Sequence, residues 1–358
     1  MKKNILIVDD SALMRRLVCD IINSESTFQA TDVCKDGLEA YEKLKTNSYD
    51  AVILDVNMPR MDGLELLEKL QQDDIKATVI MVSTLTVKDA DITIRAMELG
   101  AVDFVTKPCN IIEAKGDEFK GSLLRVLKAV IKSDNVKENM TAGLKAQAEK
   151  PAPVKIQQAP KAVGGKNKLV ALACSTGGPK ALQSVIPYLS QNLDAPMVLV
   201  QHMPMGFTKS MAERLNEISE IAVKEAEEGD ILKKGCVYIA PGGKHMEIQK
   251  KPDGTHVIRL NEEAPIGGLR PCANVTYESL RNSGYDEIVC VVLTGMGSDG
   301  TGGILSLKQK KNIYVISQDA QSCVVYGMPK AIAEAGVVDE VVPLTEVAQT
   351  IIKNVGVQ

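Results

Sequence analysis

Short aliphatic runs, each followed by a helix-length amphipathic stretch, recur through most of this 358-residue chain. In the first third the runs are Ile5–Val8, Ala30–Cys34, Ala51–Leu54, Thr78–Val82 and Phe104–Thr106. Helical periodicity fills the intervals at Ser11–Asn23, Gly37–Thr46, Gly63–Gln72, Asp89–Leu99 and Glu118–Ser133. Strands that alternate with helices bury both faces when they form a parallel sheet wrapped on each side by helices. The pattern therefore predicts a doubly wound α/β domain. It resumes at Leu169, with runs at Leu169–Ala173, Pro196–Gln201, Ile288–Thr294 and Ile313–Ser317. Helical stretches at Lys180–Leu189, Lys209–Ile218, Gly302–Lys310 and Pro329–Ala335 follow them, so a second domain of the same class is expected. Between Val223 and Leu260 the runs Val237–Ala240, Met246–Gln249 and His256–Leu260 are divided by Pro-Gly-Gly and Pro-Asp-Gly turns. They are predicted to form an antiparallel hairpin insert.

The two patterned regions are separated by a stretch rich in Pro, Lys, Ala and Gly with little apolar periodicity, which is linker composition. The expected division is a domain over 1–134, a linker over 135–167 and a second domain over 168–358. A formal net charge of -4 argues against a broadly basic nucleic-acid surface. Aromatic residues make up 3% of the chain, with no Trp, so base-stacking platforms are not expected either. The opening apolar run is too short for a signal-peptide core, and no window reaches the length of a membrane helix. The protein is expected in the cytoplasm, with no membrane insertion. Eight scattered cysteines with no C-x-x-C pair read as reduced, mostly buried thiols.

Three strand ends carry acids or a lysine. Asn4-Ile5-Leu6-Ile7-Val8 ends in Asp9-Asp10, Ala51-Val52-Ile53-Leu54 in Asp55, and Phe104-Val105-Thr106 in Lys107-Pro108. Parallel strands bring such ends to one edge of the sheet, where open α/β folds hold ligands. Crowded carboxylates repel one another, and a hard dication such as magnesium relieves this. Asp55 is the expected phosphoacceptor. Asp9, Asp10, Asp55 and the Asn57 backbone carbonyl are the expected metal ligands, and Lys107 would neutralise phosphoryl oxygens. The proline after Lys107 suits a cis bond that aims the lysine inward. Ser83 or Thr84, at the end of the fourth run, offers a hydroxyl to the phosphate. Taken singly these acids could be helix caps; Asp10-Ser11 could cap the first helix.

A second constellation lies in the later region. Leu169–Ala173 runs into Cys174-Ser175-Thr176-Gly177-Gly178-Pro179, where glycines permit a sharp turn into a helix. Val198-Leu199-Val200 ends in Gln201-His202, and Val291-Val292-Leu293 ends in Thr294-Gly295-Met296-Gly297-Ser298-Asp299. Ser175, His202 and Asp299 thus share one sheet edge and suit acyl chemistry: nucleophile, general base and orienting acid. The chain order is no objection, because triads are defined by geometry. Alternatives stand beside this reading. Ser175 and Thr176 could cap the helix, the Gly-Gly loop could cradle a phosphate, Asp299 could be a cap, and His245 could be the base instead. Cys174 is set aside as nucleophile because its side chain should point to the core.

The first set of residues resembles a two-component response-regulator receiver domain, a flavodoxin-like fold. Asp9, Asp10, Asp55, Ser83 and Lys107 fall on its pocket positions, and Phe104 falls on its switch aromatic position. The second set resembles the chemotaxis protein-glutamate methylesterases, the CheB family. The resemblance lies in the Cys174–Pro179 and Gln201–Phe207 strings, Tyr238-Ile239-Ala240-Pro241-Gly242, Leu293–Gly300 and Ser322–Pro329. Receiver, linker and Rossmann-like catalytic segment occur in that family's order. The resemblance implies hydrolysis of glutamate γ-methyl esters on chemoreceptors with release of methanol, and deamidation of receptor glutamines. It also implies phosphorylation by the chemotaxis histidine kinase CheA, with Mg2+ in the receiver and no cofactor at the hydrolytic site. Relief of a receiver block on the catalytic cleft is expected to follow. Thr176 and the Met296 backbone N–H are the candidates for oxyanion or substrate contacts.

Overall fold

The computed structural model describes residues 2–108, 117–146 and 167–358. The chain divides into two compact units, Met1–Lys132 and Ser133–Gln358.

The first unit is a five-stranded parallel sheet: β1 (Lys3–Val8), β2 (Phe28–Cys34), β3 (Ala51–Asp55), β4 (Val79–Ser83) and β5 (Asp103–Thr106). Its order is β2-β1-β3-β4-β5. Every residue of β3 and β4 is buried, as central parallel strands require. The flanking helices are α1 (Ala12–Asn23), α2 (Gly37–Thr46), α3 (Gly63–Gln72), α4 (Val87–Glu98) and α5 (Asp117–Ala146). The first four begin where a side chain can satisfy an orphan N–H. Ser11, Asp36, Asp62 and Thr86 each accept from the main-chain nitrogen three residues on, contacts typically worth about 1 kcal/mol apiece. Ser11 is thus the cap of α1, which leaves Asp10 for the pocket. The core packs Ile5, Ile7, Ile53, Ile80 and Val82 of the sheet against Leu123 and Leu127 of α5.

Helix α5 continues to Ala146, through residues whose composition predicted a linker from 135 onward. In the segment Val136–Ala146, Lys137, Glu138, Met140, Ala142, Leu144, Lys145 and Ala146 are strong helix formers and outnumber Val136, Asn139, Thr141 and Gly143. The Pro-rich remainder of the expected linker, 147–166, lies outside the described residues.

The second unit has a seven-stranded parallel sheet built from β6 (Lys168–Cys174), β7 (Met197–Gln201), β8 (Ala222–Glu225), β9 (Cys236–Ile239), β12 (Glu287–Val292), β13 (Asn312–Gln318) and β14 (Glu340–Val342). Its order is β14-β13-β12-β6-β7-β9-β8. A two-stranded antiparallel ribbon, β10 (His245–Lys250) and β11 (His256–Asn261), is the hairpin insert. The Val237–Ala240 run does not belong to that insert. As β9 it pairs in parallel with both β7 and β8. Val237, Tyr238 and Ile239 are consecutive and all buried, the mark of a strand covered on both faces. The helices are α6 (Gly178–Gln183), α7 (Phe207–Glu217), α8 (Ala273–Ser279), α9 (Thr301–Lys308), α10 (Met328–Glu334) and α11 (Val347–Val355).

Both sheets reverse their winding once. In the first, β1 and β3 flank the reversal; in the second, β12 and β6 do. The carboxyl ends of strands flanking such a reversal diverge and leave a crevice. Among the described residues, no helix is long and apolar enough to cross a membrane.

Candidate active site

The first crevice holds the acids. Carboxylate oxygens of Asp9, Asp10 and Asp55 all lie within 4.8 Å of one another. Asp9 and Asp55 are buried and Asp10 is exposed, so the cluster is open on one side. Lys107 Nζ stands between two of them, 2.8 Å from Asp9 Oδ2 and 2.7 Å from Asp55 Oδ2. Burial pushes the Asp55 carboxyl up to about 6; the Asp9 charge adds to this and Lys107 opposes it. Burial would lower the Lys107 ammonium, but the two carboxylates win and raise it. Three hard oxygen donors at this spacing fit a small dication, which would lower the repulsion that raises Asp55.

Several side chains beside the acids are tied within the receiver, while the group expected to serve the metal from residue 57 is its main-chain carbonyl. The Asn57 side chain donates to Asp89 Oδ1 at 2.8 Å, and the Thr84 hydroxyl donates to the other oxygen of the same carboxylate. Ser83 is fully buried, its Oγ accepting from Thr93 Oγ1 at 2.8 Å. Phe104 is buried on β5. Lys107 is set on the sheet by its main chain, which donates to Ser83 O at 2.7 Å. Its bond to Pro108 is not cis; the cis bond among the described residues is Arg270–Pro271. The strand end alone brings Nζ to both acids, so no special peptide geometry is needed.

The second crevice holds the other constellation. Ser175 follows β6 directly. Its main-chain nitrogen donates to Thr294 O on one side at 3.0 Å, while His202 N donates to Cys174 O on the other at 3.2 Å. Ser175 therefore sits between the ends of β12 and β7. Register puts Cys174 opposite Gln201, so these two share one face of the sheet. Ser175 and His202, one residue further on, turn to the other face. Cys174 is fully buried and Ser175 half-buried. The turn is capped by Gly177 at φ 75°, with no side-chain cap bond, so neither Ser175 nor Thr176 caps α6. A side chain at 177 would be strained and would also strike Val324.

His202 Nε2 lies 2.7 Å from Asp299 Oδ2. The acid is gripped on every side. Oδ2 also accepts from Ala273 N at 2.6 Å. Oδ1 accepts from Asn274 N at 3.0 Å, Gly300 N at 2.9 Å and the Cys272 thiol at 3.1 Å. Burial alone would raise this carboxyl; the bond and charge of His202 and the N–H groups of Ala273 and Asn274 outweigh it, holding the group at about 2. Asp299 is thus ionised and can only accept, so Nε2 carries a hydrogen in either ring state, and in the neutral imidazole the lone pair falls on Nδ1. Residue-type reading missed the 272–274 segment. Its contribution is mostly peptide N–H, which no side-chain pattern announces.

Thr176 is buried, and its carbonyl accepts from Thr294 Oγ1 at 2.9 Å. Met296 is half-buried in the turn after Gly295, and Gly295 abuts Ser175 so closely that an added Cβ would lie 2.8 Å from the Ser175 Cβ. His245, the rival base, is buried with Nε2 3.3 Å from Ala264 O, a neutral partner rather than a carboxylate. His256 accepts from Gly284 N at 2.8 Å and stacks on Tyr285, a packing role.

Comparison with known proteins finds a match for each half of the chain. Residues 170–351 match the family model described as CheB methylesterase, and residues 5–115 match the response regulator receiver domain. A protein-glutamate methylesterase/protein-glutamine glutaminase of Syntrophomonas wolfei is 40% identical, over 98% of this chain and 99% of its own. The protein of the same name from Bacillus subtilis is 39% identical, over 97% of each. The crystal structure of the Thermotoga maritima CheB methylesterase catalytic domain is 42% identical and superposes with a TM-score of 0.50, covering 52% of this chain and 98% of that one. A likeness that runs the length of the chain, through both crevices, makes this protein a member of the CheB methylesterase family, with a receiver domain ahead of the catalytic one.

Proposed function

We infer that Ser175, His202 and Asp299 form the hydrolytic triad of a phosphorylation-controlled protein-glutamate methylesterase and protein-glutamine glutaminase. The observation that carries this reading is the 2.7 Å pair of His202 Nε2 and Asp299 Oδ2 beside the strand end that bears Ser175. Ser175 Oγ attacks the γ-carbonyl carbon of a glutamate methyl ester while His202 Nδ1 takes the hydroxyl proton. The imidazolium so formed is stabilised by the ionised Asp299. The tetrahedral oxyanion falls to Thr176 and the Met296 N–H as candidate donors. Collapse breaks the bond to the methoxy oxygen, which leaves as methanol with the proton from Nδ1. Water, deprotonated by the same nitrogen, then attacks the acyl-serine and releases glutamate. With a glutamine side chain the leaving group is ammonia, and the product is again glutamate.

In the receiver, Asp55 is the proposed phosphoacceptor. Asp9, Asp10 and Asp55, with the Asn57 carbonyl, would hold Mg2+, which when bound offsets charge on the phosphoryl oxygens. Lys107 neutralises the remainder. Ser83 is the proposed switch hydroxyl and would exchange Thr93 for the phosphoryl group; Phe104 is the proposed switch aromatic. The proposed phosphodonor is the histidine kinase CheA, and the proposed substrates are methylated chemoreceptors, met in the cytoplasm.

The test is methanol release from a methylated chemoreceptor, with and without a small phosphodonor. Ser175→Ala should reduce release to background under both conditions, whereas Asp55→Ala should lose only the stimulation. A fully active Ser175→Ala protein would end the triad reading.

A further inference from the structure

Gln201, the last residue of β7, is 2% exposed and stands between two strand ends that must be kept in register. Its carboxamide nitrogen donates to Ser175 O at 3.1 Å and to His202 O at 3.1 Å. Its carboxamide oxygen accepts from the Cys174 thiol at 3.0 Å. Both amide hydrogens and the oxygen are therefore used. The thiol fixes which way the amide faces: a donor on one side and two carbonyl acceptors on the other leave a single satisfied orientation. Burial raises the Cys174 thiol far above its usual range, so it stays protonated and remains a donor. The amide also fills the inside of the turn after Ser175. A Cβ on Gly178 would come 1.9 Å from Gln201 Oε1, and Gly178 N itself donates to Ser175 O at 2.7 Å.

We propose that Gln201 is a positioning residue, a side-chain bridge that sets the distance and angle between the Ser175 and His202 main chains, held in its working orientation by Cys174. It touches neither substrate nor reacting atoms. It acts through the carbonyls of the two residues whose side chains exchange the proton. The inference rests on the proposed roles of Ser175 and His202. Removing the bridge leaves each strand intact, because the β6–β7 ladder runs up to the Cys174–Gln201 pair without help from this side chain. What is lost is the side-chain tie between the Ser175 and His202 carbonyls, leaving the His202 N to Cys174 O bond as the main-chain link at that level. Misplacement of reacting groups by about 1 Å can cost on the order of a hundredfold in rate.

The experiment uses the full chain, a small phosphodonor and methylated chemoreceptor, reading kcat and KM for methanol release alongside thermal unfolding. Gln201→Met keeps the bulk and removes both donors. We expect kcat to fall about a hundredfold with KM within about twofold. Cys174→Ala leaves the amide oxygen unpaired and free to turn, and should lower kcat by roughly three- to tenfold. Cys174→Ser, which restores a donor, should recover most of that loss. A folded Gln201→Met protein with kcat within about threefold of the parent would overturn the proposal. If Gln201→Met does not fold, the cysteine pair decides: loss with alanine and recovery with serine supports the bridge, and equal kcat in both refutes it. Ser175→Ala run in parallel separates the two levels. If it is inactive while the Gln201 and Cys174 variants keep full kcat, only the positioning role fails; if it is active, the triad itself fails.

Discussion

Exchange of Asp299 for Asn keeps the shape of the side chain and removes its charge. Five donors converge on the carboxylate, from Cys272, Ala273, Asn274, Gly300 and His202. An amide offers one accepting atom, so whichever way it turns, some donors face an NH2 group. If its nitrogen faces His202, the imidazole must move its hydrogen to Nδ1 and can no longer take a proton from Ser175. The charge loss sets the scale. An imidazolium 2.7 Å from a carboxylate gains roughly 6 kcal/mol at an effective dielectric constant near 20. Relaxation and water return part of this, so kcat should fall by about 10³- to 10⁴-fold, with KM little changed. Folding is affected as well. A carboxyl held near 2 rather than 3.8 contributes roughly 2 kcal/mol. Because the folded-state value is depressed, that contribution is present above pH 4 and is lost as pH falls towards 2. Asp299→Asn should therefore be less stable than the parent at pH 7, and the difference should shrink in acid. The assay is methanol release from methylated receptor at saturating and limiting substrate, paired with urea unfolding at neutral pH and near pH 3. A variant with kcat within tenfold of the parent would refute the claim that the His202–Asp299 pair drives proton transfer.

Asp55 has the opposite electrostatics. Its carboxyl is raised to about 6 in the folded chain, so ionising it costs stability: nothing below pH 4, increasing through pH 6, and up to roughly 3 kcal/mol at pH 7. Asp55→Asn should stabilise the receiver unit at pH 7 without magnesium and give little gain at pH 4; equal stability of parent and variant at both values in urea unfolding would contradict this. Gly242 lies against main chain: an added Cβ would meet Pro204 C at 2.4 Å and Met205 N at 2.5 Å. Backbone cannot swing aside, so Gly242→Ala should displace the loop after His202, lower kcat at least tenfold and lower the melting temperature of the second unit; an unperturbed alanine variant would count against the tight stacking of these loops.

Much of the site could be read from residue types because strand ends converge. Asp9, Asp55 and Lys107 are far apart in the chain, yet strand alternation alone predicts one sheet edge for all three. The same holds for the strand ends that carry Ser175 and His202. What escaped has physical reasons. Turn residues bracket the Val237–Ala240 run and suggest a hairpin strand, although its unbroken apolar sequence signals a strand buried on both faces. Helix α8 is not among the helices that periodicity predicts, and neither are the peptide N–H groups of Ala273 and Asn274. A main-chain donor has no residue identity to notice. Residues beyond 134 look linker-like when counted with the Pro-rich stretch that follows, yet taken alone they favour a helix. Gln201 lay beside a named residue without drawing a role, since only a partner at each end of its amide distinguishes a bridge from a buried polar side chain.

The collar of main-chain donors around Asp299 alters what descent must preserve in this part of the molecule. At position 273 the donated hydrogen survives any substitution but proline, so selection there acts on the volume of a fully buried side chain. Lengthening or shortening the stretch between β11 and α8 is the greater hazard, since it would aim those hydrogens elsewhere while leaving every familiar catalytic letter in place.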